Sequence, residues 1–183
     1  ARAPAPQPVG TQRLVAAYTR ALLREAERNP RIVALDGDLA LDTGLGPFAE
    51  KFPDRFFECG IAEQDMVSQA GGMALSGLLP IVHSFACFLS TRPNEQIYNN
   101  STERTKVIYV GSLAGLVPGG PGHSHQSVRD ISALAAMPGM ILVELGPGHH
   151  PVHQTPLERL LRRDLRIEEQ HFAGPAIADM DRK

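Results

Sequence analysis

Apolar positions along the chain fall into two alternating rhythms. Short runs are rich in branched side chains, and longer stretches carry Leu, Ala and Tyr every three or four residues. The first rhythm suits buried strands and the second amphipathic helices. From Thr11 to Arg28, Leu14, Ala17, Tyr18, Ala21, Leu22 and Glu25 keep helical spacing, and Asn29-Pro30 ends the helix ahead of the strand "RIVALD". A loop, "GDLALDTGLG", and a short helix over Pro47 to Phe52 lead into the strand "RFFECG". A helix of small residues opens at Ala62, "LPIVHSF" forms a third strand, and "KVIYVGS" and "MILVEL" read as two more. Between those two lies "LAGLVPGGPGHSHQ", too dense in Gly and Pro for regular structure, followed by a helix from Ser127 to Ala136. Strands alternating with helices predict the α/β class, as a three-layer, doubly wound, mostly parallel sheet with helices on both faces. No internal repeat interrupts the pattern.

The ends of the chain read differently. Residues 1–10, "ARAPAPQPVG", form a Pro/Ala-rich linker; without an apolar core or a basic start they do not resemble a signal peptide, and further chain is expected upstream. Residues 11–145 make the domain, and 146–183 an atypical C-terminal tail with one short amphipathic helix, Pro156 to Leu165. A length of 183 residues with 43% hydrophobic content suits one core, and no stretch is long enough to cross a membrane. The net charge of −2, without Lys/Arg runs, gives no footprint for nucleic acid or an anionic membrane. Small molecules and protein partners are expected instead. Cys59 and Cys87 lack CxxC spacing and sit in apolar runs, which points to reduced thiols and a cytoplasmic location. His149, His150 and His153 have no strand or helix periodicity to fix them, so no metal is expected there.

In an open parallel sheet, ligands bind beyond the carboxyl ends of the strands. Here those positions are Asp36 to Leu39, Gly60 to Glu63, His83 to Phe88, Gly111 to Gly115 and the glycine loop ending at His125. Glu63 opens a helix straight after a strand. The helix dipole favours its carboxylate while apolar surroundings oppose it, a combination that makes a tunable acid. The plainer reading of such a residue is a helix cap.

Its context is "FAEKFPDRFFECGIAEQ", preceded by "IVALDGDL" and followed by "SFACFL", "RPNEQI" and "GHSHQ". These segments resemble, in order and spacing, the pyrimidine-binding domain of thiamine-diphosphate enzymes, most closely the separately encoded C-terminal subunit of transketolase. That family shows "IVVLDADL", "FAKKFPDRFFNVGIAEQ", "TFAMFL", "RAWEQI" and "GPTHQ". The likeness spans about Val33 to Val143.

The resemblance implies a thiamine diphosphate cofactor, with Glu63 in the place of the family's glutamate. That glutamate hydrogen-bonds N1′ of the aminopyrimidine, which lets the cofactor's own 4′-imino group remove the thiazolium C2 proton. Phe88 matches the aromatic that stacks on the pyrimidine, and Phe85 lies one turn earlier on the same wall. Asp38 matches the family's "ADL" aspartate near the cofactor. His125 matches the substrate-contacting, catalytic histidine of "THQ", and His123 is an extra imidazole beside it. Asp36-Gly37-Asp38 and Asn99-Asn100 do not reproduce the GDG…N motif for magnesium diphosphate, because order and gap are wrong. The resemblance therefore assigns Mg2+ (or Ca2+) to a partner diphosphate-binding domain or subunit, in a dimer or heterotetramer that acts on sugars or sugar phosphates.

The family's phosphate contacts do not carry over. Leu113 replaces a histidine, Asp42 a serine and Pro121 an aspartate, so a phosphate dianion is expected to fit poorly. The expected activity is two-carbon ketol transfer. The alternatives are the β component of a 2-oxo acid dehydrogenase, a deoxyxylulose-phosphate-synthase-like enzyme, and a non-catalytic assembly module of the same fold.

Overall fold

A computed structural model describes residues 14–116 and 120–144. The linker, the tail with its three histidines, and the helix expected over Pro156 to Leu165 lie outside the described residues.

The order of elements is α1 (Leu14–Arg28), β1 (Ile32–Asp36), α2 (Ala40–Thr43), α3 (Gly46–Lys51), β2 (Phe56–Glu58), α4 (Glu63–Leu75), β3 (Leu79–Phe85), α5 (Ala86–Leu89), α6 (Asn94–Thr102), β4 (Ile108–Ser112) and α7 (Asp130–Leu134). The four strands form one parallel sheet in the order β2-β1-β3-β4. β2 and β3 flank β1 on opposite sides, which makes the carboxyl ends of β1 and β3 the switch point where open parallel sheets bind ligands.

Strand alternation assigns the two faces. Val33, Leu35 and Val82 belong to a core with Met66, Val67 and Ala70 of α4 and Ile97 of α6. His83 points to the other face, where it meets Tyr18 of α1. Helices thus cover both faces, as the pattern predicts. Along α4, Met66 and Ala70 are fully buried and Met73 partly so, whereas Gly77 lies exposed beyond the helix end at φ +89°. A Cβ on Gly71 would run into the side-chain oxygen of Asn100. Asn100 is held there by donating to Val67 O (3.0 Å) and Tyr109 Oη (3.1 Å), which brings α6 close against α4. Gly72 faces open space.

Two sequence expectations need correction. "MILVEL" forms no strand over its described part, 140–144; Ile141, Leu142 and Val143 stay exposed with no ladder partner among the described residues. A run of β-formers without a neighbouring edge leaves its backbone groups to water. The helix expected from Ser127 starts only at Asp130, because Ser127 is tied to Gly115 by backbone bonds in both directions, 2.7 and 3.1 Å. The polar helix α6 was not marked by periodicity at all.

Candidate functional site

The strand ends converge on one edge, and three carboxylates stand there in different company. Asp36 ends β1, fully buried. Its Oδ2 accepts from Leu39 N–H (2.6 Å) and its Oδ1 from the Thr43 hydroxyl (3.2 Å). Burial, reinforced by the nearby Glu58 charge, pushes its carboxyl up to about 6 against those two hydrogen bonds. Glu58 ends β2, and its Oε1 accepts from Asp38 N–H (2.9 Å) and Gly60 N–H (2.8 Å). Both donors belong to turns in the left-handed region, with φ +64° at Asp38 and +67° at Gly60. Glu58 thus fixes the loops after β1 and β2 together. The same loop geometry leaves Asp38 exposed.

Glu63 is placed by the turn after β2. Ala62 holds a non-helical backbone, φ −142° and ψ 57°, so Glu63 becomes the first residue of α4. Only 4% of it is exposed. Its carboxylate pairs with the Arg92 guanidinium through Oε1.

β3 ends at Phe85 in extended backbone, and α5 begins at once, which sets Phe85 and Phe88 one turn apart. Their rings stack at 5.9 Å and 29°. The His125 ring meets both edge-on, 5.1 Å from Phe88 and 6.2 Å from Phe85. The bridge between Gly115 and Ser127 holds the loop that carries it, and Ser124 Oγ lies 2.9 Å from His125 Nδ1. Arg92, four residues after Phe88, lays its guanidinium 3.8 Å over the Phe88 ring while pairing with Glu63. Glu63, Arg92, Phe88, Phe85 and His125 therefore form one continuous set of contacts. A groove of about 480 Å3 opens over Ile61 to Asp65 and Arg92, with Glu63 in it.

The residues present suit an aminopyrimidine. Between a buried carboxylate and a half-buried aromatic face lies a flat, cationic hydrogen-bond donor, the Arg92 guanidinium, which stands in for a protonated heterocycle offering the same shape and donors. The Arg92 side chain is 40% exposed. No group of His, Cys, Asp or Glu among the described residues could hold a metal ion.

Asp38 and His123 are not drawn into this contact set. His123 is exposed and lines a separate groove on the far side of Arg92. Asp42 is exposed on α2, Pro121 is exposed, and Leu113 is half-buried at φ +56°. Sequence reasoning gave no role to Arg92, although its i+4 spacing from Phe88 already placed it over that ring. It also passed over Glu58, whose signal was an acid directly ahead of Cys59-Gly60. Cys59 and Cys87 are both unpaired thiols; burial pushes Cys59 up to about 11 and raises Cys87 as well, so neither is a ready nucleophile.

Comparison with known proteins identifies the family. The family described as "Transketolase, pyrimidine binding domain" matches residues 11–173. A 1-deoxy-D-xylulose-5-phosphate synthase of Thermomicrobium roseum is 35% identical over 156 residues, covering 85% of this chain and 24% of the relative. One of Rhodococcus erythropolis is 40% identical over 123 residues, covering 67% and 19%. The chain thus spans a quarter or less of the length of these curated relatives. Among solved structures, a split gene transketolase, described as an inactive beta4 tetramer, superposes with a TM-score of 0.57 at 36% identity, covering 67% of this chain and 40% of that one. A transketolase from Leishmania mexicana gives 0.63 at 22% identity, covering 68% and 20%, and shows the shared fold. With the family match over most of its length, this chain belongs to the transketolase pyrimidine-binding-domain family.

Proposed function

We propose that this chain is the pyrimidine-binding half of a thiamine-diphosphate enzyme that transfers a two-carbon ketol unit between sugar-like substrates. It acts with a separate diphosphate-binding domain or subunit that holds the divalent metal. The observation that carries the reading is Glu63, buried at the first residue of α4 and turned toward a flat cation stacked on Phe88.

The cofactor, when bound, supplies a thiazolium that stabilises negative charge on the transferred carbon. The chain's own part is to hold and orient. Glu63 holds a proton at the pyrimidine N1′, in a site where low water content strengthens the hydrogen bond. Phe88, backed by Phe85, takes the pyrimidine by offset stacking after Arg92 withdraws. His125, edge-on to both rings, offers a ring nitrogen to a substrate hydroxyl. Asp38 sits on the rim beside the loops that Glu58 organises.

Partner dependence is supported by the split-gene arrangement named for one solved neighbour. The assembly proposed is a dimer or heterotetramer. A reducing cytoplasmic setting suits two unpaired cysteines. No described helix is long and apolar enough to cross a membrane.

Calorimetric titration with thiamine diphosphate and Mg2+ tests the half-site. The chain alone is expected to bind weakly or not at all, and the chain mixed with its diphosphate-binding partner tightly. Submicromolar binding by the chain alone would refute the proposal. A second reading is favoured by the curated relatives, which are 1-deoxy-D-xylulose-5-phosphate synthases. Formation of that product by the assembled enzyme, with no ketol exchange between sugars, would select it.

A further inference from the structure

Arg92 lines both the groove that holds Glu63 and the groove of about 350 Å3 on its far side, so its side chain is the wall between them. Its guanidinium lies 3.8 Å over the Phe88 ring and pairs with the Glu63 carboxylate. The acid and the aromatic face that suit an aminopyrimidine are thus both covered by the chain itself. The backbone beneath is fixed: Arg92 N–H donates to Phe88 O at 2.9 Å, and the next residue, Pro93, is buried. Any rearrangement belongs to the side chain alone. Glu63 is 4% exposed and has no second hydrogen-bond partner among the described residues. A buried carboxylate stripped of its partner is costly, so Arg92 leaves only as another donor arrives. No acidic residue lines the far groove, and Asp65, the other acid in the Glu63 groove beside it, already accepts from Gln69. Once the donor departs, the guanidinium returns to Glu63.

We propose that Arg92 is a built-in occupant of the pyrimidine site, which keeps the chain's half of that site closed until an aminopyrimidine takes its place. The inference rests on the cofactor reading above and deepens it by assigning how the site is regulated. Exchange conserves the contacts. A flat donor on the Phe88 face and a hydrogen bond to Glu63 are present before and after, so the buried acid is never left bare. Affinity is then set by competition: the observed dissociation constant is the intrinsic one divided by the fraction of chains from which Arg92 has withdrawn, and an occupant present about nine-tenths of the time weakens binding about tenfold. A pyrimidine alone bears that whole cost, whereas diphosphate contacts made by a partner offset it. Because Arg92 is the shared wall, its departure also joins the two grooves into one cleft.

The test is an NMR titration of the full chain with 4-amino-2-methylpyrimidine, followed at the Phe88 ring and, in the wild type, at the Arg92 side chain. The wild type is expected to bind at least about tenfold more weakly than Arg92→Ala. Arg92→Met, which keeps an apolar stem over Phe88, should follow Ala and replaces it where Ala does not fold. In both variants guanidinium chloride should displace the pyrimidine by refilling the vacated place, and adding Glu63→Gln should weaken binding by about tenfold or more. Equal affinity in the wild type and a folded Arg92 variant, no saturable shift in any chain into tens of millimolar, or binding indifferent to Glu63→Gln would overturn the proposal. The same variants separate it from the cofactor reading. Pyrimidine binding released by Arg92→Met, with no thiamine diphosphate bound by the assembled enzyme, refutes the cofactor and spares the occupant. Thiamine diphosphate bound by the assembled enzyme with equal affinity in wild type and Arg92→Met does the reverse.

Discussion

Two regions at the same sheet edge treat their carboxylates in opposite ways. After β1 and β2, Asp36 and Glu58 are bound to backbone N–H groups, and their acceptor capacity serves the shape of the loops. After the turn into α4, Glu63 takes no such bond; its partner is a side chain, Arg92, which is itself partly exposed. A carboxylate satisfied by backbone cannot turn to a ligand without dismantling a loop. One satisfied by a displaceable side chain can. Chemistry is therefore expected where the backbone has not claimed the acid.

The largest stability effect should come from the structural region. His83 pairs in register with Asp36, and burial lowers its imidazole to about 4. The unfolded chain takes up a proton below about 6.5, so His83 favours the fold above that pH and the contribution is lost as pH falls toward 4. By linkage this amounts to about 3 kcal/mol. Asp36 has the opposite slope. Its folded carboxyl titrates near 6 against an ordinary 3.8, so its stabilising balance is complete below 3.8 and is lost as pH rises through 6. The effect is about 1–2 kcal/mol once screening by solvent at the sheet edge is allowed for. The two slopes oppose each other in the wild type. In urea unfolding across pH 4–6.5, His83→Gln should lose stability with rising pH and Asp36→Asn should gain it. Parallel curves for the two variants would contradict the assignment.

Next in size is the support behind the site. Gly71→Ala forces a methyl into Asn100 and is expected to cost about 2 kcal/mol by overpacking, while Gly72→Ala is neutral or stabilising. Equal midpoints in denaturant would show that α6 does not press on α4 as described. The smallest effect is at the displaceable pair. Arg92→Ala leaves the Glu63 carboxylate buried alone and should cost about 1 kcal/mol, because the exposed Arg92 limits what a buried pair would otherwise lose. Glu63→Gln leaves only an exposed guanidinium behind and should cost less. If the order of the two midpoints is reversed, the pair is not what satisfies Glu63.

Much of this was legible in the sequence, for reasons that differ by residue. The central strands β1 and β3 are apolar runs buried on both faces, and their signal is hard to mistake. Glu63, Phe88 and His125 were visible because motif segments keep their spacing across a family. The contacts that turn them into a site were not. The Arg92–Glu63 pair spans 29 residues and Tyr18–His83 spans 65, and no local periodicity encodes such meetings. "MILVEL" misled because β propensity counts only when an edge is available to pair with.

The central claim is that the chemistry lies with Glu63 and not with the backbone-bound acids. Turnover of Glu63→Gln and Glu58→Gln, each assembled with the diphosphate-binding partner and checked for folding, tests it most directly. The account predicts a loss of at least about a hundredfold for Glu63→Gln, some 3 kcal/mol of barrier, with Glu58→Gln within a few-fold of wild type because its amide oxygen still accepts both N–H bonds. A Glu63→Gln enzyme that turns over at a near wild-type rate would contradict it.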